Sequence, residues 1–304
     1  MPHAGEQEQS TGGESLASGG LGLWDGERWS LAGGAVVQGT VTCVAVAGQG
    51  EHGGDATAHY LLYVAGRFGM VGDVQASNIA VYNHTSRRWK ALGPGLKARD
   101  IFALAVWPGV GSSRHSLFAV GSISHAGDLL LGNVGRWRAE TETWHPMRNV
   151  NGIVRAAAVM HSRLYIGGDF TVAGGQPAAA ISYTNLTEQE VDRGAAVQWR
   201  EVGAGVQGNV HALRPVAGCL YVGGRIDSVG DHEGIKPANN VARWCVLKEN
   251  IAYPGRKSLR QEVWEPVDGL DHSGGTVLAI AGADPLMGTD LLWSEVGGFG
   301  SRVV

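Results

Sequence analysis

The sequence lacks most of the features by which common functional classes of protein are recognised. Its 304 residues include three cysteines, which have neither metal-ligand spacing nor the even number of a disulfide framework. Only 17% of the residues are charged and the net charge is −4, so the charge expected of a nucleic-acid-binding protein is missing. No apolar run reaches the ~20 residues of a membrane-spanning helix. We therefore expect no nucleic-acid partner and no membrane span in this chain.

Catalytic and cofactor motifs are also missing from the sequence. The 11 histidines occur without an i, i+2 or HExxH spacing, which argues against a zinc site. No GxSxG elbow, Walker A loop or Rossmann fingerprint stands between a strand and a helix. We therefore expect no metal, no cofactor and no catalytic residues, and we interpret the protein as a non-enzyme.

The N-terminal segment differs in composition from the rest of the chain. Residues 1–20 are polar, rich in Gly and Ser, and lack the apolar core of a signal peptide. We expect them to form a disordered lead-in to one folded region over residues 21–300. On this interpretation the protein is either not secreted or a piece of a longer chain.

Glycine is abundant and recurs at fixed places. It accounts for 48 of the 304 residues, about twice its usual share of ~7%. Runs of β-branched and aromatic residues bounded by glycine predict short strands joined by tight turns. In four successive units two glycines stand six residues apart after such a run: Gly66 and Gly72, Gly121 and Gly127, Gly168 and Gly174, Gly224 and Gly230.

Each unit also carries two aromatic residues at the same relative places. A period of roughly 55 to 65 residues with four predicted strands per unit is typical of a β-propeller, in which each unit is one four-stranded antiparallel blade. Because the aromatics recur at fixed positions, we expect them to pack between blades, whereas Trp107 lies outside both series and is predicted to be exposed at a loop mouth. The first series is Trp24, Tyr82, Trp137, Tyr183 and Trp244, and the second is Trp29, Trp89, Trp144, Trp199 and Trp264.

The units predict an all-β propeller of five blades. Whole blades are expected at about residues 41–92, 101–147, 153–203 and 210–267. Residues 21–34 supply only a third and a fourth strand, and residues 276–299 supply only a first and a second. Because these halves are complementary, we expect the two termini to share the last blade, which would remove open sheet edges. An open array cut at arbitrary points is the alternative.

The boundary between the second and third units resembles a known repeat family. The segment Trp144-His145-Pro146-Met147, followed by Arg155 and the run from Ala156 to Gly168, is similar to the kelch repeat. Other units, with Gly-x-Phe, a turn glycine and Asn-Ile-Ala-x-Tyr, resemble the kelch-type repeats of Rax2-like fungal cortical and bacterial surface proteins. The resemblance covers residues 21–300 and implies a propeller and a role at the cell surface or cell cortex. The copper ligands of galactose-oxidase relatives cannot be placed here, so no cofactor is implied.

The resemblance favours a non-enzymatic scaffold that binds a protein partner through rim loops. Two connections between third and fourth strands are long, at residues 184–198 and 245–263, and long loops on a rigid scaffold often carry binding sites. The second contains the candidate binding residues Tyr253, Arg256, Lys257 and Arg260. A carbohydrate-binding propeller and an enzyme with a site at the channel mouth are the alternatives.

The residue after the strand-ending glycine is a candidate for lining the central channel. Arg67, Ser122, Asp169 and Arg225 hold this position in four blades. If these side chains face the channel, Arg67, Asp169 and Arg225 form a small polar binding pocket. Ion pairs without a ligand are the alternative.

Two further features concern modification and cross-linking. Asn-x-Thr sequons at Asn83 and Asn185 follow the third strand of two blades and are candidate glycosylation sites of an extracellular protein. Cys219 and Cys245 lie in one repeat and could pair, although buried thiols are the preferred interpretation.

Overall fold

The protein is built almost entirely of β-strands. The computed structural model describes residues 21–24, 27–49, 59–108, 115–186, 197–248, 260–267, 276–281, 292–296 and 301–303. These residues form 26 strands and one short 3-10 helix. The strands pair antiparallel in several small sheets, which confirms the prediction of an all-β protein.

The chain begins with a hairpin and a first sheet. The N-terminal hairpin pairs β1 (Gly22–Trp24) with β2 (Trp29–Leu31), and the 3-10 helix Ala32–Gly34 follows. The first sheet contains β3 (Val37–Gln49), β4 (His59–Val71), β5 (Val74–Gln75), β6 (Ile79–Asn83) and β7 (Arg88–Ala91). Its order is β3-β4-β6-β7, and β5 pairs with the end of β4.

The second and third sheets repeat this order. The second contains β8 (Lys97–Trp107), β9 (Ser116–Ala126), β10 (Leu129–Leu130), β11 (Val134–Arg138) and β12 (Thr143–Pro146). The third contains β13 (Ile153–Met160), β14 (Arg163–Asp169), β17 (Ile181–Asn185) and β18 (Arg200–Glu201), while β15 (Val172–Ala173) and β16 (Gln176–Pro177) pair with each other.

The fourth and fifth sheets complete the described chain. The fourth contains β19 (Gly205–Val216), β20 (Cys219–Asp231), β21 (Gly234–Pro237), β22 (Val241–Lys248) and β23 (Arg260–Pro266). The fifth has the order β24 (Thr276–Ala281), β25 (Leu292–Val296) and β26 (Ser301–Val303). The edge of β25 is therefore occupied by β26, and β1 pairs with β2 in a sheet of two strands.

The first strand of every sheet has a β-bulge at the same place. An extra residue stands there between two residues that pair normally with the second strand, as Arg155 stands between Val154 and Ala156. A bulge bends its strand and redirects a side chain. The bulged residues are Thr42, Phe102, Arg155, His211 and Leu278.

The glycines that were expected to end the second strands have a different role. Strand β4 continues through Gly66 to Val71, and β20 continues through Gly224 to Asp231. A Cβ on Gly66 would overlap the carbonyl oxygen of Thr40, because the bulged first strand lies directly against it. Glycine is therefore required by the close approach of two backbones at the bulge. We call Gly66, Gly121, Gly168 and Gly224 the bulge-facing glycines.

Asparagine holds a left-handed backbone position before three of the third strands. The φ angles are 66° at Asn78, 74° at Asn133 and 67° at Asn240. Each Oδ1 accepts a hydrogen bond from an N–H of the second strand, and that from Ile123 to Asn133 is 3.1 Å long. The Nδ2 of Asn133 also donates to the carbonyl of Val150, beyond the end of its own sheet (3.0 Å). The amide thus stabilises both the turn and the contact with the next unit.

The hydrophobic core consists of four clusters, each between consecutive units. One joins the N-terminal hairpin to the first sheet, and the others join the first to the second, the second to the third and the third to the fourth sheet. Val277 of the fifth sheet is fully buried. The core is therefore distributed along the series of sheets rather than concentrated in one place.

The second aromatic series links each sheet to the one before it. Each indole N–H donates to a backbone carbonyl of the preceding unit, and that carbonyl belongs to the third residue after the preceding tryptophan of the series. The bonds run from Trp89 to Ala32 (2.9 Å), from Trp144 to Leu92 (3.1 Å), from Trp199 to Met147 (2.7 Å) and from Trp264 to Val202 (3.3 Å).

The aromatics of the four larger sheets are buried or, at Trp89 and Tyr183, partly buried, as expected, whereas those of the N-terminal hairpin are exposed. Trp144, Trp199 and Trp264 are buried, whereas Trp24 is 53% and Trp29 is 60% exposed. The reason is positional, since no described unit covers the outer side of that hairpin. The prediction for Trp107 is wrong: its ring is buried, within the cluster between the second and third sheets.

The preferred interpretation of Cys219 and Cys245 as buried thiols is also wrong. They are joined by a disulfide, because they stand directly opposite each other on β20 and β22. Cys43 is a free thiol, and burial raises its pKa to about 11 although the Thr42 hydroxyl lowers it slightly. The bond ties the outer hairpin of the fourth sheet to its second strand.

We predict that Ala180→Asn stabilises the protein. Ala180 has a φ of 59° at the position where the other sheets have asparagine, a conformation that costs an alanine about 1–2 kcal/mol. Asparagine adopts it more readily and its Oδ1 would face the N–H of Phe170, so we expect the free energy of unfolding in urea to rise by about 1 kcal/mol. Ala180→Gly is the control that relieves the backbone without adding the amide. A fall in stability with Asn would contradict this account.

Candidate functional site

The bulges bring three repeat positions of each unit together. We call them the bulge band: the bulged residue, the residue two before it, and the residue after the bulge-facing glycine. The residues two before the bulge are Thr40, Asp100, Ile153, Asn209 and Thr276. The residues after the glycine are Arg67, Ser122, Asp169 and Arg225, each paired across the strands with the residue two before the bulge of its own sheet.

The band is continuous because its residues contact each other between sheets. Arg67 of the first sheet lies 3.5 Å from the carboxylate of Asp100 in the second, measured from Nε to Oδ1. Asp169 of the third sheet accepts a hydrogen bond from Nδ2 of Asn209 in the fourth (2.7 Å). In both cases the contact joins the residue after a bulge-facing glycine (Arg67 or Asp169) to the residue two before the bulge of the next sheet (Asp100 or Asn209). In the following pair of sheets the residues at the corresponding positions are Arg225 and Thr276.

Arg155 and Asp169 form the best-ordered ion pair of the band. The Arg155 guanidinium donates from Nε (2.8 Å) and Nη2 (2.5 Å) to Oδ2 of Asp169, and its Cζ lies 5.3 Å from the centre of the Phe102 ring. Burial disfavours the ionised carboxylate of Asp169, but the hydrogen bonds from Arg155 and Asn209 outweigh that effect and lower its pKa. Asp169 is therefore ionised at neutral pH.

A cavity of about 510 Å³ opens at the part of the band formed by the third, fourth and fifth sheets. Six of its seven lining residues are polar or charged, and Leu278 contributes an apolar side chain. The lining residues are Arg155, Asp169, Asn209, His211, Arg225, Thr276 and Leu278.

Two lining side chains, those of His211 and Arg225, have groups that can bind a ligand. His211 is half-buried, and burial together with the positive charge of Arg155 lowers its pKa despite the opposing effect of Asp169, so it is neutral at pH 7. Arg225 is exposed to the cavity and has no hydrogen bond or ion pair with any other described residue. The cavity thus presents one unpaired guanidinium and one neutral imidazole.

The three residues expected to form one pocket are divided by the structure. Asp169 and Arg225 both line the cavity. Arg67 does not: its side chain is largely exposed beside Asp100, at the first and second sheets. The physical reason is that each sheet carries its own copy of the position, and the cavity includes the copies of only the third to fifth sheets.

Sequence reasoning missed Arg155, Asn209 and His211. Arg155 and His211 are bulged residues, and the bulge breaks the alternation by which the face of a strand side chain is normally assigned. A signal was present nonetheless. Each first strand has a β-branched residue, a variable residue and then a small one, as in Val154-Arg155-Ala156 and Val210-His211-Ala212.

The other candidates lie elsewhere. Tyr253, Arg256 and Lys257 fall outside the described residues. Arg260 begins β23, opposite Lys248 in register.

The two sequon asparagines stand at the ends of their third strands. Asn83 ends β6 and Asn185 ends β17, so that both positions precede a connection to the fourth strand. The Oδ1 of Asn83 accepts a hydrogen bond from the N–H of Ser86 (3.0 Å), which stabilises that turn.

Metal-ligand clusters and membrane-spanning helices are both absent from the described residues. These residues contain no group of three or more His, Cys, Asp or Glu side chains placed to hold a metal ion. They also contain no helix with the length and apolar character needed to cross a membrane.

We predict that stability falls as the pH drops below about 6.5. Burial lowers the pKa values of His115, His145 and His211 in the folded protein, whereas in the unfolded chain they lie near ~6.5. Below that value the unfolded chain binds more protons, so the free energy of unfolding decreases with falling pH until the folded histidines titrate. Urea midpoints at pH 7.5 and 5.5 measure the effect, and His211→Asn should reduce the difference. An unchanged difference in that variant would remove His211 from this account.

The sequence was compared with known proteins. No protein-family model matches this chain, and no curated protein sequence matches it. The likeness to kelch repeats therefore stays a resemblance carried by short motifs.

Proposed function

We propose that the sheets are blades of a five-bladed, kelch-like propeller. The first strands of consecutive sheets contact one another in the order β3, β8, β13, β19 and β24. The sheets are also stacked by one repeated bond, from an indole to the preceding unit. A series of sheets stacked in this way through their inner strands is the arrangement of propeller blades.

The N-terminal hairpin supports a blade shared by the two termini. The ring centroids of Trp24 and Trp29 are 5.4 Å apart, the same separation as between Trp137 and Trp144 in the second sheet. The carbonyl of Ala32 accepts a hydrogen bond from the indole N–H of Trp89 in the first sheet, as the carbonyl of Leu92 does from Trp144 in the second. The hairpin therefore acts as the two outer strands of a unit that precedes the first sheet.

The fifth sheet has the complementary half. Its strands β24 and β25 correspond to the first and second strands of the other sheets, including the bulge at Leu278. On the first sheet, Val44 and Val46 of β3 are exposed, at the side where the inner strands of a preceding unit would lie. In the closed ring we propose, β24 and β25 cover these residues, and β1 replaces β26 at the edge of β25. The indole of Trp29 then donates to the carbonyl of Val267, the third residue after Trp264.

Replacing single tryptophans tests the closed ring. Trp144→Phe removes a buried indole hydrogen bond and should lower the free energy of unfolding by about 1–3 kcal/mol. If the ring closes, Trp29→Phe should cause a similar loss, although Trp29 is 60% exposed in the described arrangement. Urea unfolding of both variants measures the comparison. A normal Trp144→Phe effect with no change in Trp29→Phe would show that the ring does not close through this hairpin.

We further propose that the propeller is a non-enzymatic protein-interaction scaffold at the cell surface. The observation that carries this proposal is the outer hairpin of the fourth sheet. Beyond the pair of Trp244 and Trp264, β22 and β23 continue for four further residue pairs, whereas β6 and β7 continue for one beyond Tyr82 and Trp89. At ~3.3 Å per residue, the hairpin extends roughly 10 Å further than its counterpart.

The disulfide makes this extended hairpin a stable support for a loop. Cys245 is the first residue of the extension, and its bond to Cys219 fixes it to β20. Disulfides persist in oxidising compartments, which agrees with a surface location and with the sequons at Asn83 and Asn185. The disulfide thereby fixes the strand from which residues 249–259 continue, and a fixed support reduces the entropy lost on binding.

The charge of the hairpin tip favours an acidic protein partner. Lys248 and Arg260 pair in register at the end of β22 and β23, so the extension ends in two basic residues. The segment between them contains Tyr253, Arg256 and Lys257. Aromatic and arginine residues are enriched among the residues that dominate protein interfaces. An acidic protein surface has the charge that complements the basic residues of this segment.

Selection of peptides from a random phage-displayed library on the full protein tests the scaffold proposal. We expect acidic peptides whose binding is weakened about tenfold or more by the double substitution Arg256→Glu and Lys257→Glu. Arg87→Glu with Arg88→Glu changes the same charge in the short turn of the first sheet and is the matched control. Fluorescence polarisation gives the affinities. No enrichment, or peptides that bind the tip variant normally, would contradict the proposal.

A further inference from the structure

The cavity at the bulge band has a pattern of charges that is incomplete within the protein. Its two guanidinium groups, Arg155 and Arg225, face a single carboxylate, that of Asp169. Since His211 is neutral at pH 7, the lining has a net charge of one positive unit. Among described residues Asp169 is already engaged by Arg155 and Asn209, so it does not neutralise Arg225.

The repeat identifies the group that Arg225 lacks. Arg67 holds the same position in the first sheet and is paired with Asp100, which stands two residues before the bulge of the next sheet. The residue that corresponds to Asp100 beside Arg225 is Thr276, which lines the cavity. An internal carboxylate in one pair of sheets is thus replaced by a hydroxyl in the other, and open volume lies next to it.

The remaining lining suits a planar monoanion. A guanidinium donates two parallel hydrogen bonds to a carboxylate, which matches its planar fork. The hydroxyl of Thr276 and the imidazole of His211 are further hydrogen-bonding groups, and Leu278 offers contact to an apolar stem. A doubly charged phosphate fits less well, because the ionised Asp169 lies in the same cavity and repels the second charge.

We propose that this cavity is a binding site for a carboxylate, which pairs with Arg225 in the place that Asp100 takes beside Arg67. The carboxylate comes either from a free organic acid or from a Glu or Asp side chain of a protein. The site uses none of the residues of the hairpin tip, so the carboxylate-site proposal and the scaffold proposal are tested independently.

The experiment titrates the full protein with three probes at constant ionic strength. They are butyrate, a Gly-Glu-Gly peptide with blocked termini, and inorganic phosphate. Binding is followed by the NMR signals of the arginine Nε–H groups. We expect the Arg225 signal to shift with at least one carboxylate probe, and Arg225→Gln to weaken that binding about tenfold to a hundredfold. Arg67→Gln, the same repeat position outside the cavity, is the matched control and should bind normally.

A substitution that adds the missing carboxylate gives an independent test. Thr276→Asp places a carboxylate where Asp100 stands in the second sheet, so it should weaken binding of the probe and raise the urea midpoint. A variant that had merely misfolded would lower that midpoint instead. If butyrate alone binds, the ligand is a free acid, and if the peptide alone binds, it is a protein side chain. Phosphate binding as tight as that of either carboxylate, or no binding that depends on Arg225, would overturn the proposal.

Discussion

The arrangement of this protein depends on one repeated hydrogen bond, from a tryptophan indole to a carbonyl of the preceding unit. The bond spans 52 to 62 residues of sequence, yet its acceptor always lies three residues after the previous tryptophan. Tryptophan supplies a large apolar surface together with a single directional donor. The ring therefore drives two sheets together while the N–H restricts how they align. Apolar contact alone would permit sliding between the flat faces of neighbouring sheets.

The bulge solves a second problem, which is how a repeated scaffold carries side chains that differ from unit to unit. The bulge-facing glycine and the small residue after the bulge allow the two backbones to approach closely, as Gly168 and Ala156 do in the third sheet. The bulged residue is then free to vary, because its own side chain is not part of that close approach. Threonine, phenylalanine, arginine, histidine and leucine all occupy it. Function can change in such a band without a change of fold.

The sequence predicted those parts of the structure that repeat and missed those that depend on registration between strands. Glycine and aromatic spacing located the units, and β24 begins at Thr276, where the C-terminal half blade was expected to start. The pairing of Cys219 with Cys245 requires that two particular residues stand opposite each other, which spacing alone does not show. Arg155 was missed for a related reason, since a single inserted residue changes which side chains share a face. The exposure of Trp29 depends on what lies beside the hairpin, which no local pattern contains.

Both proposed binding features fall on the fourth sheet, and its position in the series explains why. Arg67 and Asp100 neutralise each other between the first and second sheets, and Arg155 and Asp169 do so within the third. Asn209 then engages Asp169, which leaves no carboxylate for the next arginine of the band. The alternation of charge therefore ends at Arg225, next to a neutral residue of the fifth sheet. Among the described residues of the bulge band, Arg225 is thus the arginine without a carboxylate partner, and its place beside a cavity is the reason for proposing an anion site there.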